Sequence, residues 1–113
     1  MGQDPARGQI WWAEVELGEA KRFVIVSNNP RNRTLRDVLG VRMTTAPKPS
    51  VPSIVAFKPG EVDTAICYAV ADDITPLDKA QLQRPVGALT PRQMRRVDVA
   101  LVAALGLRDA LRA

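Results

Sequence analysis

At 113 residues the chain has room for one domain and one hydrophobic core. Its composition, 46% hydrophobic and 25% charged, is that of a globular protein, and no apolar run approaches the roughly 20 residues a transmembrane helix needs. With no histidine, one cysteine and a net charge of +4, the sequence excludes Ser-His and Cys-His nucleophile pairs, most zinc sites and any internal disulfide, which fits a reducing cytoplasm.

Residues 1–6 read as a disordered tail, without the basic-then-apolar layout of a secretory signal. Residues 10–16, aromatic and β-branched with polar residues on alternate positions near the end, predict a first strand. A turn at 17–20 leads to a second strand over 21–27, apolar enough to be buried on both faces, which Asn28-Asn29-Pro30 breaks. Residues 31–38 predict a short helix with Leu35 and Val38 packing inward. A third strand over 41–45 is closed by Pro47, Pro49 and Pro52, and a fourth covers 53–57. A turn at 58–61, a fifth strand over 66–71, and short extended pieces near Ile74 and over 86–89 complete the β portion. Many short strands separated by Gly/Pro turns suggest a small barrel.

The final segment carries the clearest local signal. Thr90 can cap a helix with Pro91 at its first position, and Gln93 completes a capping box. Met94, Val97, Leu101, Ala104 and Leu105 recur at helical spacing toward a stop at Gly106, with Arg92, Arg95 and Arg96 near the opposite side. The expected fold class is therefore mainly β, a β-barrel sealed by an amphipathic C-terminal helix, with the domain spanning 7–107 and a tail at 108–113.

Charge is unevenly spread. Between Lys21 and Lys48 lie seven basic residues and one acid, a local charge of +6 that leaves −2 on the other 85 residues. A basic segment on a near-neutral scaffold points to a polyanion. Asp72-Asp73 is the only tight acidic cluster, and neighbours on a strand point to opposite faces, so no metal site is expected.

Several segments, in order, resemble the MazF/PemK/Kid toxin family. Arg7-Gly8-Gln9-Ile10-Trp11 is similar to the family's opening Arg-Gly-x-Ile-Trp, and residues 22–28 to its Arg-Pro-Val-(Val/Leu)-(Val/Ile)-Val-Ser-Asn strand, with Phe23 in place of the proline. Val41-Arg42-Met43-Thr44-Thr45 resembles Val-x-x-Thr-(Ser/Thr), Leu77-Asp78-Lys79-Ala80-Gln81-Leu82 resembles Ile-Asp-Lys-x-Arg-Leu, and residues 86–90 resemble Ile-Gly-x-Leu-Ser. The first hairpin loop is shorter than usual, the stretch 73–76 differs, and Val70 stands where some members carry an arginine two positions before an aspartate.

The resemblance implies an SH3-like barrel, a symmetric homodimer, and metal- and cofactor-free cleavage of single-stranded RNA, messenger or transfer, that a cognate antitoxin blocks. It also implies roles. Arg22 is the main catalytic residue, able to make two hydrogen bonds to a phosphate, and Thr44 holds the phosphate or the 2′-hydroxyl. Arginine stays protonated and is no general base; Asp72 is the candidate for that role, with water as the fallback. Asn28, Arg31, Arg33, Arg42 and Lys48 are the RNA-contact candidates, and Trp11 and Trp12 candidates for stacking on bases. Two alternatives stay open: a poison of DNA gyrase like the related CcdB toxins, or a member that binds RNA without cutting it.

Overall fold

A computed structural model describes residues 4–112. Six strands form one sheet in the order β4-β5-β3-β2-β1-β6, every neighbouring pair antiparallel. They are β1 (Gln9–Glu16), β2 (Glu19–Ile25), β3 (Asp37–Thr44), β4 (Ile54–Phe57), β5 (Cys67–Asp78) and β6 (Leu82–Ala88). Helix α1 (Asn29–Thr34) follows β2, and α2 (Pro91–Leu105) follows β6. The expectation of a small β-rich fold with a C-terminal helix holds. The sheet is open rather than closed, with β4 and β6 as its edges.

The two faces of the sheet bury separate cores. Ile10, Val24, Val41, Met43, Val55, Phe57 and Ala69 pack against Met94, Val97 and Ala100 of α2. The opposite face gathers Ala13, Phe23, Ile25, Val38 and Leu77, with Trp11, Val15 and Leu82 around them. Strand β2 serves both, so Phe23, Val24 and Ile25 are all buried, as its unbroken apolar run predicts.

Two segments differ from expectation for identifiable reasons. Asn28-Asn29-Pro30 begins a helix instead of only breaking a strand: the Asn28 side chain accepts the Arg31 N–H at 2.9 Å, and Pro30 sits in the first turn. Helix α1 therefore ends at Thr34; Leu35 is exposed, and Val38 enters the second core from β3. Strand β5 runs through Asp72, Asp73 and Pro76, where a break was expected. Arg42 pairs with Val70 but Val41 with Ile74, so 71–73 bulge out of the ladder. Pro76 is tolerated because β4 pairs only with 67–70 and leaves one side of β5 open beyond that point.

Helix α2 matches its signals. Thr90 and Gln93 form the capping box, and Gly106 ends the helix with φ +67°. Its buried positions are Met94, Val97 and Ala100, while Leu105 is exposed. Of the expected tail, residues 1–3 and Ala113 lie outside the described residues. Pro5 is buried, and Lys79 pairs with Asp4 at 3.1 Å. Nearby, Gly8 donates to Ile25 O and accepts from Leu89 N–H, both at 2.8 Å, and Arg7 is ion-paired with Asp98 of α2.

Candidate active site

Arg22 sits in the middle of β2, in register with Trp12 on β1 and Met43 on β3. Cross-strand partners share a face, so its side chain leaves the sheet beside the larger core, where a bare cation would be costly. Three groups from three other segments receive it. Its Nη2 lies 3.0 Å from Asp63 Oδ2 and 3.8 Å from Cys67 Sγ, and its guanidinium carbon lies 5.7 Å from the centre of the Trp12 ring. The side chain is only 17% exposed, but Nη1 and Nε carry none of these contacts.

Asp63 comes from the loop between β4 and β5. The backbone N–H of Thr64 donates to its Oδ1 at 2.8 Å; that bond first, and the Arg22 charge second, hold its carboxyl below the usual aspartate range. Cys67 opens β5 and is buried. Burial pushes its thiol up, against the opposing pull of Arg22, so the thiol stays neutral and supplies no thiolate nucleophile near neutral pH.

Thr44 ends β3, one residue past the register partner of Arg22, and its backbone N–H faces the Cys67 sulfur. Thr44 therefore reaches the Cys67 side of the cluster through its backbone N–H. The Thr44 hydroxyl accepts the Ala46 N–H at 3.1 Å and keeps its own proton to donate. Asp72 is not brought to this cluster. It lies five residues beyond Cys67 on β5, roughly 16 Å at strand rise. There it accepts the Ser53 hydroxyl at 2.6 Å and lines an open groove of about 690 Å³ with Val99, Val102 and Arg108.

The basic segment is more neutral in space than in sequence. Besides Arg22, Lys21 pairs with Glu19, Arg31 with Asp37 at 2.8 Å, and Arg42 with Asp73 at 4.0 Å. Arg42 also buries its Nε without a hydrogen-bond partner among the described residues. Asn28 is occupied in capping α1. Arg33 and Lys48 are exposed, and Lys48 borders a groove along β4 with Ile54, Ala56, Tyr68 and Arg96. Trp11 and Trp12 are both half-buried: Trp11 donates to Gln9 and flanks the second core, and Trp12 underlies Arg22. Asp63 had no local signal; in sequence it is one loop acid among several, and only the return of β5 beside β3 puts it against Arg22.

The sequence profile of the PemK-like, MazF-like toxins of type II toxin–antitoxin systems matches residues 6–105. The chain belongs to that family. This MazF-like chain is 42% identical over 103 residues to Endoribonuclease MazF4 of Mycobacterium tuberculosis, covering 91% of its own length and 94% of the relative. It is equally similar to Endoribonuclease MazF1 of Mycobacterium bovis. Among solved structures it resembles an endoribonuclease in complex with its cognate antitoxin from a Mycobacterial species, with 41% identity, TM-score 0.81, and coverage of 91% of this chain and 96% of that one. A MazE-MazF structure from Deinococcus radiodurans shares the fold at 17% identity and TM-score 0.76, covering 93% and 98%.

Proposed function

We propose that this chain is a toxin endoribonuclease that cuts single-stranded RNA, messenger or exposed transfer-RNA loops, in the cytoplasm. The observation that carries the reading is the restrained guanidinium of Arg22, ion-paired with Asp63, on a chain 42% identical to curated endoribonucleases. Those relatives also weigh against the gyrase-poison alternative. No helix among the described residues is long and apolar enough to cross a membrane. Single strands are the fitting substrate because an A-form duplex hides its bases in a narrow groove.

The chemistry follows from the groups present. Arg22 binds the scissile phosphate through guanidinium N–H groups that Asp63 and Cys67 leave free, and stabilises the negative charge that builds on its oxygens. Thr44 donates its hydroxyl proton to the same phosphate or orients the 2′-hydroxyl. The 2′-oxygen attacks phosphorus in line, the bond to the 5′-oxygen breaks, and the products carry a 2′,3′-cyclic phosphate and a 5′-hydroxyl. The 2′-hydroxyl proton passes to water, and water returns a proton to the departing 5′-oxygen. Asp72 does not take it in this scheme, because its carboxylate is held by Ser53 far along β5. Forgoing a positioned base costs roughly 10²–10⁴-fold in rate, so cleavage is slow. Arg33 and Lys48 meet flanking phosphates; Asn28, Arg31 and Arg42 chiefly hold the fold beneath them.

The same reading includes a symmetric homodimer and a cognate antitoxin with an acidic and apolar tail. It is supported by the Mycobacterial relative solved with its antitoxin, and by the apolar side chains Val99, Val102, Leu105 and Leu107 left exposed at the end of α2.

The test is incubation of the purified protein with a long single-stranded RNA in EDTA, beside Arg22→Ala, with mapping of fragment ends. The expected result is discrete cuts by the wild type alone, ending in cyclic or 3′-phosphate with free 5′-hydroxyl. Full activity in Arg22→Ala removes the assignment of Arg22. Loss of cutting in EDTA, or 5′-phosphate products, sinks 2′-hydroxyl attack without a metal.

A further inference from the structure

An arginine on the middle strand of a sheet has four rotatable side-chain bonds, and a phosphate-binding role demands that its fork be held to a fraction of an ångström. What holds Arg22 is unequal. The Trp12 ring offers a face without a direction, and the Cys67 thiol is neutral and a poor acceptor. Among the described residues, the only charged and directional restraint is the Asp63 carboxylate at 3.0 Å.

Asp63 is itself anchored. Gly60 N–H donates to the Asp63 carbonyl at 2.7 Å, and Thr64 N–H donates to its Oδ1 at 2.8 Å. The loop is tied to α2 as well: Gln93 donates to the Glu61 carbonyl, and Arg96 pairs with the Glu61 carboxylate, both at 3.2 Å. The loop is thus a bracket between β5 and the helix, with one carboxylate oxygen fixed to its own backbone and the other turned to Arg22. Because the contacts fall on Nη2, the Nη1 and Nε hydrogens stay available to substrate oxygens.

We propose that Asp63 is a positioning residue of the active site: it touches no reacting atom but holds the Arg22 guanidinium with its free N–H groups presented to the scissile phosphate. The proposal rests on the nuclease reading above and adds to it the residue that orders the phosphate-binding group.

The experiment compares the full-length wild type with Asp63→Asn and Asp63→Glu in two measurements. In steady-state cleavage of a short single-stranded RNA, Asp63→Asn is expected to lower kcat about ten-fold or more with KM within about three-fold, and Asp63→Glu to recover part of the loss. In cold side-chain spectra of protein carrying ¹⁵N-arginine, the Arg22 Nη signals are expected to be resolved in the wild type and averaged by free rotation in Asp63→Asn. An unchanged kcat in Asp63→Asn overturns the proposal. So does a lowered KM with kcat kept or raised, which would make the carboxylate a competitor of the phosphate. Arg22 signals that remain resolved in Asp63→Asn overturn it independently of activity. A wild type that leaves RNA intact counts against the nuclease reading alone, since the spectra still decide whether Asp63 holds Arg22.

Discussion

The cluster around Arg22 is an arrangement of unlike restraints, and each responds differently to its surroundings. Asp63 is the one whose pH signature falls in acid. Its folded carboxyl lies below the usual aspartate range, so its bond from Thr64 N–H first, and the Arg22 charge second, add stability that is fully present above the ordinary aspartate value and is lost as pH falls through the lower, folded value. The melting midpoints of wild type and Asp63→Asn should therefore differ by a constant amount from pH 7 down to about pH 5, and converge only in stronger acid. A gap that closes between pH 7 and 6 would mean that another group governs the pair. As a candidate, Arg22 was legible before the fold was known, from its likeness to the family's strand. Asp63 was not, because it lies 41 positions away in a loop of ordinary turn residues. Asp72 drew attention in sequence by its place in a family pattern, yet the strand rise between it and Cys67 carries it to another region.

Among the elements, α2 was legible almost to the residue because its signals are local. A capping box, a proline in the first turn and a glycine stop act within one or two turns of the chain. Strand β5 was read as two pieces because its continuity depends on β3: the 71–73 bulge absorbs the acidic pair while pairing resumes at Ile74. Helix α1 starts two residues and ends four residues earlier than expected because Asn28 acts as a cap, which competes with its strand-breaking role. Helix and sheet should also differ in their tolerance of small changes. Thr90→Ala removes one cap and is expected to cost about 1 kcal/mol. Gly40→Ala is expected to cost more, about 1–3 kcal/mol, since a Cβ there would lie 2.8 Å from Leu77 Cδ1 and 2.9 Å from Phe23 Cβ in the second core. Denaturant unfolding of both variants checks the order; Gly40→Ala at wild-type stability would show that this core can yield.

For the whole molecule, the question is how much of the sequence's positive charge faces outward. Seven cations lie between Lys21 and Lys48, and four of them are paired with carboxylates. Binding of single-stranded RNA should follow the pattern in space. At about 0.7 per phosphate contact, three outward cations give a slope of log K against log salt of about −2, whereas the six cations that remain without Arg22 would give about −4. Titration of a non-cleavable single strand by Arg22→Ala protein from low to moderate salt measures that slope. A value near −4 would mean that RNA breaks the ion pairs and recruits their cations.

The sheet order has a consequence for how the molecule comes into being. β1 lies between β2 and β6, so the earliest strand is completed by one more than 60 residues later, and the approach to β1 is tied to Leu89 and Asp98. A chain still being synthesised can form the β1-β2 hairpin but cannot cover its outer edge or seat α2 over the larger core. Asp63 and Cys67 also reach Arg22 only after the chain has turned back into β5. A half-made chain thus lacks both a finished core and an ordered arginine, and a ribosome releasing fragments of it would release nothing able to cut RNA. The fold is complete only when β6 and α2 close over what was made first.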